Sequence, residues 1–120
     1  MGKIKLFDGE LKLMELLWEN EGATAKALTI LAAEKIGWNK NTTYTVIKKL
    51  VAKGAIKREE PEFVCSSLIK REEVGCEEAK AVMHSFFGGS VKAMFSSFIA
   101  QGTLSGDEAE ELRRMINDHD

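Results

Sequence analysis

One short segment of the chain combines hydrogen-bonding side chains with positive charge. Between Gly37 and Arg58 there are six basic residues and no acidic residue. When residues 39–53 are placed on a helical wheel, the outward face carries Asn41, Thr42, Tyr44, Thr45, Lys48 and Lys49. Hydroxyls, amides and amines can bond to phosphates and base edges, whereas carboxylates would repel a phosphate backbone. The segment therefore predicts a surface that contacts double-stranded DNA.

The inward face of the same wheel carries Thr43, Val46, Ile47 and Leu50. Thr43 is nevertheless included in the candidate set. The complete set of candidate DNA-binding residues is Lys40, Asn41, Thr42, Thr43, Tyr44, Thr45, Lys48, Lys49, Lys57 and Arg58. The alternative is a solvated lysine face, but such a face normally carries interspersed glutamates.

The charge of the chain is divided unevenly. The formal net charge is −2, but residues 1–58 carry +5 and residues 59–120 carry −7. A basic half and an acidic half in a chain of 120 residues indicate two different roles. The basic half is the candidate for a polyanionic partner.

The first half of the chain predicts three helices followed by a hairpin. Asp8 is predicted to cap the first helix, Thr24 the second, and Asn39 or Asn41 the third, which ends near Lys53 with Gly54 in a left-handed conformation. The hairpin has one strand around Ile56, a turn over residues 59–62, and a second strand over residues 63–65. This order is that of a winged helix-turn-helix, in which the third helix enters the major groove.

The second half predicts only helices. One is expected from about Arg71 to Phe87, a second after a Ser90 cap, and a third from Ser105. The predicted fold class is mainly α with a small β-hairpin: a winged helix-turn-helix domain over residues 1–69 and a helical dimerisation region over residues 70–120.

The short helices of residues 70–120 carry more apolar side chains than about 50 residues can bury alone. The predicted dimerisation residues are Val82, Phe86, Phe87, Val91, Met94, Phe95, Phe98, Ile99, Leu112, Met115 and Ile116. The alternative is that this region packs back onto the first domain.

The sequence resembles the BlaI/MecI penicillinase-repressor family of winged-helix transcriptional regulators. The matching pieces are FDGELKLMELLWE, WNKNTTYTVIKKLVAKGAIKRE, FVCSSLIKREE and GGSVKAMFSSFIAQGTLSGDEAEELRRMIND. The resemblance implies a homodimer that binds a palindromic operator and blocks transcription. It also implies induction when a membrane sensor protease triggers cleavage of the tail, and the matching bond here is Ser97–Phe98.

The chain departs from the family pattern at two places, and it also lacks a feature of the metal-responsive relatives. The wing usually carries a glycine and basic residues, whereas the turn here carries Glu59, Glu60 and Glu62, so the predicted wing contacts are Lys57 and Arg58 at its base. The family's cut usually follows asparagine, whereas Ser97 precedes Phe98 here. The C-terminus RRMINDHD lacks the cysteine-rich hook of the metal-responsive relatives.

The sequence does not indicate an enzyme. His84 and His119 are the only histidines, and no catalytic triad, phosphate-binding loop or metal-ligand spacing is present, so we expect no cofactor and no bound metal. No apolar run could span a bilayer, and the N-terminus lacks a signal-peptide core, which predicts a cytoplasmic protein without direct membrane insertion. Cys65 and Cys76 are expected to be free thiols.

Two alternative functions remain open at the level of sequence. One is a thiol- or ligand-responsive regulator that uses Cys65 or Cys76. The other is a winged-helix module for protein contacts that does not bind DNA.

Overall fold

The computed structural model describes residues 4–119, which form six helices and one two-stranded sheet. The ends of the two predicted domains, residues 1–3 and 120, lie outside this range. The mainly α fold class with one hairpin is confirmed. In chain order the elements are α1 (Asp8–Glu19), α2 (Ala25–Lys35), α3 (Lys40–Lys53), β1 (Ile56–Glu59), β2 (Val64–Ser67), α4 (Arg71–Phe87), α5 (Val91–Ala100) and α6 (Gly106–His119).

The chain divides into two compact units, and the division falls inside α4. The N-terminal unit ends at Cys76 and the C-terminal unit begins at Glu77. The boundary predicted from sequence, between residues 69 and 70, lies nearer the N-terminus. The residues of α4 up to Cys76 belong to the N-terminal unit, where Val74 packs against the core.

Side-chain caps set where several helices begin. Thr24 accepts a hydrogen bond from the Ala27 N–H at 3.1 Å, and Asn39 accepts one from the Thr42 N–H at 2.8 Å. The predicted Asp8 cap is wrong: Phe7 is the N-cap of α1 and Asp8 is already helical. Glu10 caps this helix end instead: its carboxylate accepts a hydrogen bond from the Phe7 N–H at 2.9 Å.

The core of the N-terminal unit is built from α1, α2, α3 and the hairpin. Its largest fully buried side chains are Leu13, Met14, Leu17, Leu28, Thr43, Ile47, Leu50, Ile56 and Cys65. Because α3 contributes three of these at helical spacing, the core fixes the rotation of α3 about its own axis.

The hairpin is anchored to the segment between α1 and α2. β1 and β2 are antiparallel, with Arg58 paired to Cys65 and Glu59 paired to Val64. The Gly22 N–H donates to the Cys65 carbonyl at 3.0 Å, and the Cys65 N–H donates to the Ala23 carbonyl at 2.9 Å. The hairpin is therefore held on a rigid base.

The predicted turn of the hairpin was misplaced by one residue. Glu59 belongs to β1, and Phe63 lies in the turn rather than in β2. Phe63 has a φ of 55°, in the left-handed region. For a bulky residue this conformation costs on the order of 1–3 kcal/mol, so other contacts must hold it.

An ion pair joins the start of α1 to the end of α3. The Lys53 Nζ lies 2.5 Å from Glu10 Oε1 and also donates to the Lys5 carbonyl at 2.7 Å. Burial raises the pKa of Glu10. The bonds from Lys53 and the Phe7 N–H, with the charges of Lys53 and Lys49, outweigh burial and lower this pKa below its ordinary value of 4.5.

The C-terminal unit has a different character from the N-terminal unit. Within residues 77–119 no residue is buried. Local contacts stabilise its helices: Ser90 accepts the Ala93 N–H at 3.0 Å, and Phe95 meets Phe98 edge to face at 5.9 Å. Among the described helices, none has the length and apolar character needed to cross a membrane.

We expect Glu10→Gln to weaken the fold in a pH-dependent way. The folded-state pKa of Glu10 is lowered, so its stabilisation is present above about pH 4.5 and is lost as the pH falls through the lowered value. Glu10→Gln should reduce the free energy of unfolding by about 1–2 kcal/mol at neutral pH. Urea denaturation at a series of pH values should show a smaller acid-dependent loss for the variant than for wild type.

The control is Glu15→Gln, which changes an exposed glutamate on the same helix. It should follow the wild-type pH profile. Parallel profiles for Glu10→Gln and wild type would contradict a structural role for the charge of Glu10.

Candidate nucleic-acid interface

The outward face of α3 follows directly from its buried face. Because Thr43, Ile47 and Leu50 point into the core, the intervening polar residues meet solvent. The exposed residues are Lys40, Asn41, Thr42, Thr45, Lys48 and Lys49. No carboxylate interrupts this face, so it presents hydrogen-bonding groups and positive charge together.

Two residues of the predicted set are less exposed than the others. Thr43 lies on the inward face, as expected from the helical wheel; it is fully buried, and its hydroxyl donates to the Asn39 carbonyl at 3.1 Å. Its side chain is therefore not on the exposed surface of α3. Tyr44 was expected on the outward face but is half-buried, and it packs against the core.

Tyr44 links α3 to the wing through a row of aromatic and cationic side chains, which we call the aromatic row: Lys40, Tyr44, Phe63 and Arg58. The Lys40 Nζ lies 6.0 Å from the Tyr44 ring centroid. The Tyr44 and Phe63 centroids are 6.3 Å apart with the rings tilted by 51°. The Arg58 Cζ lies 3.7 Å from the Phe63 centroid, a close cation–π contact.

The two predicted wing contacts are not equivalent. Neighbouring residues of a strand point to opposite faces, so Lys57 points away from the face that carries Arg58. Arg58 forms a salt bridge through its Nε with Glu60 and stacks on Phe63, which contacts α3. Only Arg58 is therefore joined to the surface of α3 by packed side chains.

Two ion pairs reduce the number of unpaired charges on this surface compared with the number predicted from sequence. Glu60 is paired with Arg58, so one of the three glutamates near the turn is neutralised locally. The Lys53 ammonium group donates hydrogen bonds to Glu10 and to the Lys5 carbonyl, so it is less available to a phosphate. The cations that remain exposed on α3 are Lys40, Lys48 and Lys49.

The two cysteines differ in environment. Both are free; Cys65 is buried and Cys76 is exposed. Burial raises the pKa of the Cys65 thiol to about 11, although the charge of Arg58 acts in the opposite direction. Because the thiolate is the reactive form, burial and the raised pKa both disfavour reaction of the Cys65 thiol at neutral pH. Within residues 4–119, no cluster of three or more His, Cys, Asp or Glu residues could hold a metal ion.

Comparison with known proteins identifies the class of this chain. The family described as "Penicillinase repressor" matches residues 7–118. The chain belongs to the penicillinase repressor family. The resemblance seen in the sequence motifs is thereby confirmed.

Its relatives match it along nearly their whole length. The penicillinase repressor of Staphylococcus aureus is 26% identical over 118 residues, covering 97% of this chain and 94% of that protein. The penicillinase repressor of Bacillus licheniformis is 23% identical over 117 residues, covering 96% and 91%. The methicillin resistance regulatory protein MecI of Staphylococcus aureus is 25% identical over 115 residues, covering 94% of each chain.

A solved structure shares the fold of the N-terminal unit. The solution structure of the DNA-binding domain of the repressor BlaI superimposes with a TM-score of 0.55 at 24% identity. It covers 61% of this chain and 93% of that one. This likeness confirms the winged-helix fold.

In the C-terminal unit of this penicillinase repressor family member, large apolar side chains lie at the surface. Phe86 is 79% exposed and Ile99 is 56% exposed. Val82, Val91, Met115 and Ile116 are also exposed, whereas Phe87, Met94, Phe95, Phe98 and Leu112 are half-buried. The predicted dimerisation residues thus remain accessible within a single chain.

Sequence reasoning did not place Phe63 or Glu60 in the candidate site. Phe63 was assigned to a strand because an aromatic residue before Val64 and Cys65 is typical of one. Its left-handed φ has no local signal, since glycine or asparagine is the usual occupant. The contact between Arg58 and Phe63 could be inferred only once the register of the hairpin was known, because the register decides which residues lie near Arg58.

Two substitutions of Asn39 test separately the stability that the N-cap of α3 provides and the effect of negative charge on DNA binding. Asn39→Ala should lower the free energy of unfolding by about 1 kcal/mol, because the Thr42 N–H loses its acceptor. Asn39→Asp should keep the stability, since aspartate caps equally well, but should weaken binding to duplex DNA by placing a carboxylate beside the exposed face of α3. Thermal denaturation and fluorescence anisotropy measure the two effects. Equal DNA affinity for Asn39→Asp and wild type would contradict this placement.

Proposed function

We propose that this protein is a cytoplasmic transcriptional repressor that binds a palindromic operator as a homodimer, with α3 in the major groove of each half-site. The observation that carries the proposal is the carboxylate-free outer face of α3, held in one orientation by its buried residues Thr43, Ile47 and Leu50. Membership of the penicillinase repressor family supports it. So does the printed description of the similar BlaI structure as a DNA-binding domain.

The residues of α3 divide into two roles. Lys40, Lys48 and Lys49 carry flexible ammonium groups that suit phosphates, and phosphate contacts set affinity and orientation. Thr42 is exposed on the same face and can bond to base edges, which sets sequence preference. Tyr44 has a smaller share in base reading than its position on a wheel implies, because its ring is half-buried against Phe63.

A second copy of the chain is the occupant that the C-terminal unit fits best. Its exposed apolar side chains lie on all three helices, and none of its described residues is buried in the single chain. A two-fold dimer would bury these side chains and would present two copies of α3 to half-sites about 34 Å apart, or a multiple of that distance. Residues 77–120 carry four basic and eight acidic residues, and this net charge of −4 favours a position of the C-terminal unit away from the phosphates.

Release of the operator by a membrane sensor protease is the remaining element of the proposal. The candidate bond, Ser97–Phe98, lies within α5, and the Phe98 carbonyl accepts hydrogen bonds from the Thr103 and Leu104 N–H groups at 2.8 and 3.2 Å. A protease needs an extended substrate, so cleavage requires α5 to open locally. Because no residue within 77–119 is buried in the single chain, local opening of α5 should require little free energy in the monomer. It should require more in a dimer that buries the apolar side chains of α5.

We expect different effects from substitutions at Lys48 and Thr42. Lys48→Gln should weaken binding equally to the promoter of the protein's own gene and to random duplex. It should also reduce the slope of log affinity against log salt by about 1. Thr42→Val should change the preference between the two duplexes and leave the salt slope unchanged. Fluorescence anisotropy at several salt concentrations measures both quantities.

Thr43→Val is the matched control for Thr42→Val, because it removes the same hydroxyl from the buried side of α3. It should leave DNA affinity and preference unchanged. Equal losses on promoter and random duplex for Thr42→Val would show that Thr42 does not read bases.

Dimerisation should depend on the exposed phenylalanine of α4. We expect Phe86→Ser to raise the dimer dissociation constant at least about tenfold, because a buried interface aromatic contributes more than about 1.4 kcal/mol. Sedimentation equilibrium measures the constant. Since Phe86 is 79% exposed in the single chain, the helical content should not change.

Ile30→Ser provides the control, because Ile30 is 54% exposed on α2 in the N-terminal unit. It should leave association unchanged. A wild-type protein that remains monomeric at micromolar concentration would rule out the homodimer.

A further inference from the structure

The aromatic row connects the two elements that would touch DNA, and Phe63 is its central member. One side of Phe63 faces Tyr44 on α3, and the Arg58 guanidinium lies over its ring. No other described residue contacts both the α3 tyrosine and the wing arginine through ring contacts. The position of Arg58 relative to α3 therefore depends on this ring.

The backbone of Phe63 is held independently of its side chain. Its carbonyl accepts the Ala25 N–H at 2.9 Å, which ties the turn to the first residue of α2. The next residue, Val64, forms a bridge with Thr24. These contacts keep Phe63 in the left-handed region despite the penalty for a bulky residue, so the direction of its ring is fixed by the fold.

Arg58 is constrained on two sides. The Phe63 ring lies at 3.7 Å from its Cζ, and Glu60 binds its Nε. A guanidinium has five N–H donors, so the pair with Glu60 leaves four on the terminal nitrogens for a phosphate. The Arg58 side chain is 41% exposed and remains accessible. An arginine ordered before binding loses less conformational entropy when it contacts DNA.

We propose that Phe63 is a positioning residue of the DNA-contacting surface: its ring holds the Arg58 guanidinium beside Tyr44, so that the wing presents one ordered cation to the phosphate backbone in register with α3. This inference rests on the proposed function. It accounts for an acidic turn in a DNA-binding wing, because one of the glutamates then orients the arginine.

The test removes the ring without adding backbone strain. Phe63→Asn retains a residue that tolerates a left-handed φ. It should weaken promoter binding about three- to tenfold and reduce the salt slope by about 1, as Arg58→Gln does. Phe63→Tyr keeps a flat ring and should retain wild-type affinity and slope. Phe63→Leu keeps apolar volume without a flat face and should behave like Phe63→Asn.

A double-mutant cycle shows whether Phe63 acts through Arg58. The Phe63→Asn/Arg58→Gln protein should bind within about twofold of Arg58→Gln alone, since the ring has nothing left to position. The matched cycle uses Lys57→Gln, a change of the neighbouring cation on the opposite face of β1. In that cycle the two effects should multiply. Melting temperatures are measured for every variant, and binding is compared well below each of them.

Three results would overturn the inference. The first is that Phe63→Asn and Phe63→Leu bind the promoter with wild-type affinity, and the second is that Phe63→Asn leaves the salt slope unchanged. The third is that the losses of affinity from Phe63→Asn and Arg58→Gln multiply, as those from Phe63→Asn and Lys57→Gln should. Each of these presupposes that the wild-type protein binds the duplex. A wild-type protein that binds no duplex at low salt would instead refute the proposed function, which keeps the two failures distinct.

Discussion

The burial of one face of α3 is the constraint on which the rest of the structure depends. Ile47 and Leu50 are fully buried among side chains of α1, α2 and the hairpin, and Thr43 joins them with its hydroxyl bonded to the backbone of its own helix. A rotation of α3 would expose these residues, at about 1.5–3 kcal/mol for each large aliphatic side chain. The polar face between them therefore has a single orientation, and a surface of short hydroxyls, amides and lysines is presented as a rigid unit. Rigid presentation is what hydrogen bonding to base edges requires.

The second constraint is that the wing does not stand alone. Cross-strand pairing fixes its register, the segment 22–24 holds its base, and the aromatic row joins its turn to α3. A hairpin of two four-residue strands is marginal by itself, so these contacts give it a defined position. The C-terminal unit shows the opposite case. Within residues 77–119 it has a capped α5 but no buried residue in the single chain, which is consistent with the proposed pairing with a second copy.

Local signals in the sequence were enough for most of the fold. Thr24 and Ser90 could be recognised as caps because a hydrogen-bonding side chain preceded an amphipathic run, and Gly54 marked the end of α3. The cap of α3 was narrowed to Asn39 or Asn41, and the structure assigns it to Asn39. The features that sequence reasoning missed depend on distant parts of the chain. Lys53 binds Glu10, 43 residues away, and the half-burial of Tyr44 depends on where the hairpin turn lies. The left-handed Phe63 is set by tertiary hydrogen bonds, so no local pattern could have indicated it.

Amide chemical-shift changes in the isotopically labelled protein, titrated with a duplex from the promoter of its own gene, test most directly whether the outer face of α3 is the surface that meets DNA. We predict that the largest changes fall on Lys40–Lys49 and on the turn that contains Phe63, and that the outward surfaces of α1 and α2 change little. Changes confined to α1 and α2, or to residues beyond Cys76, would contradict the assignment of this surface.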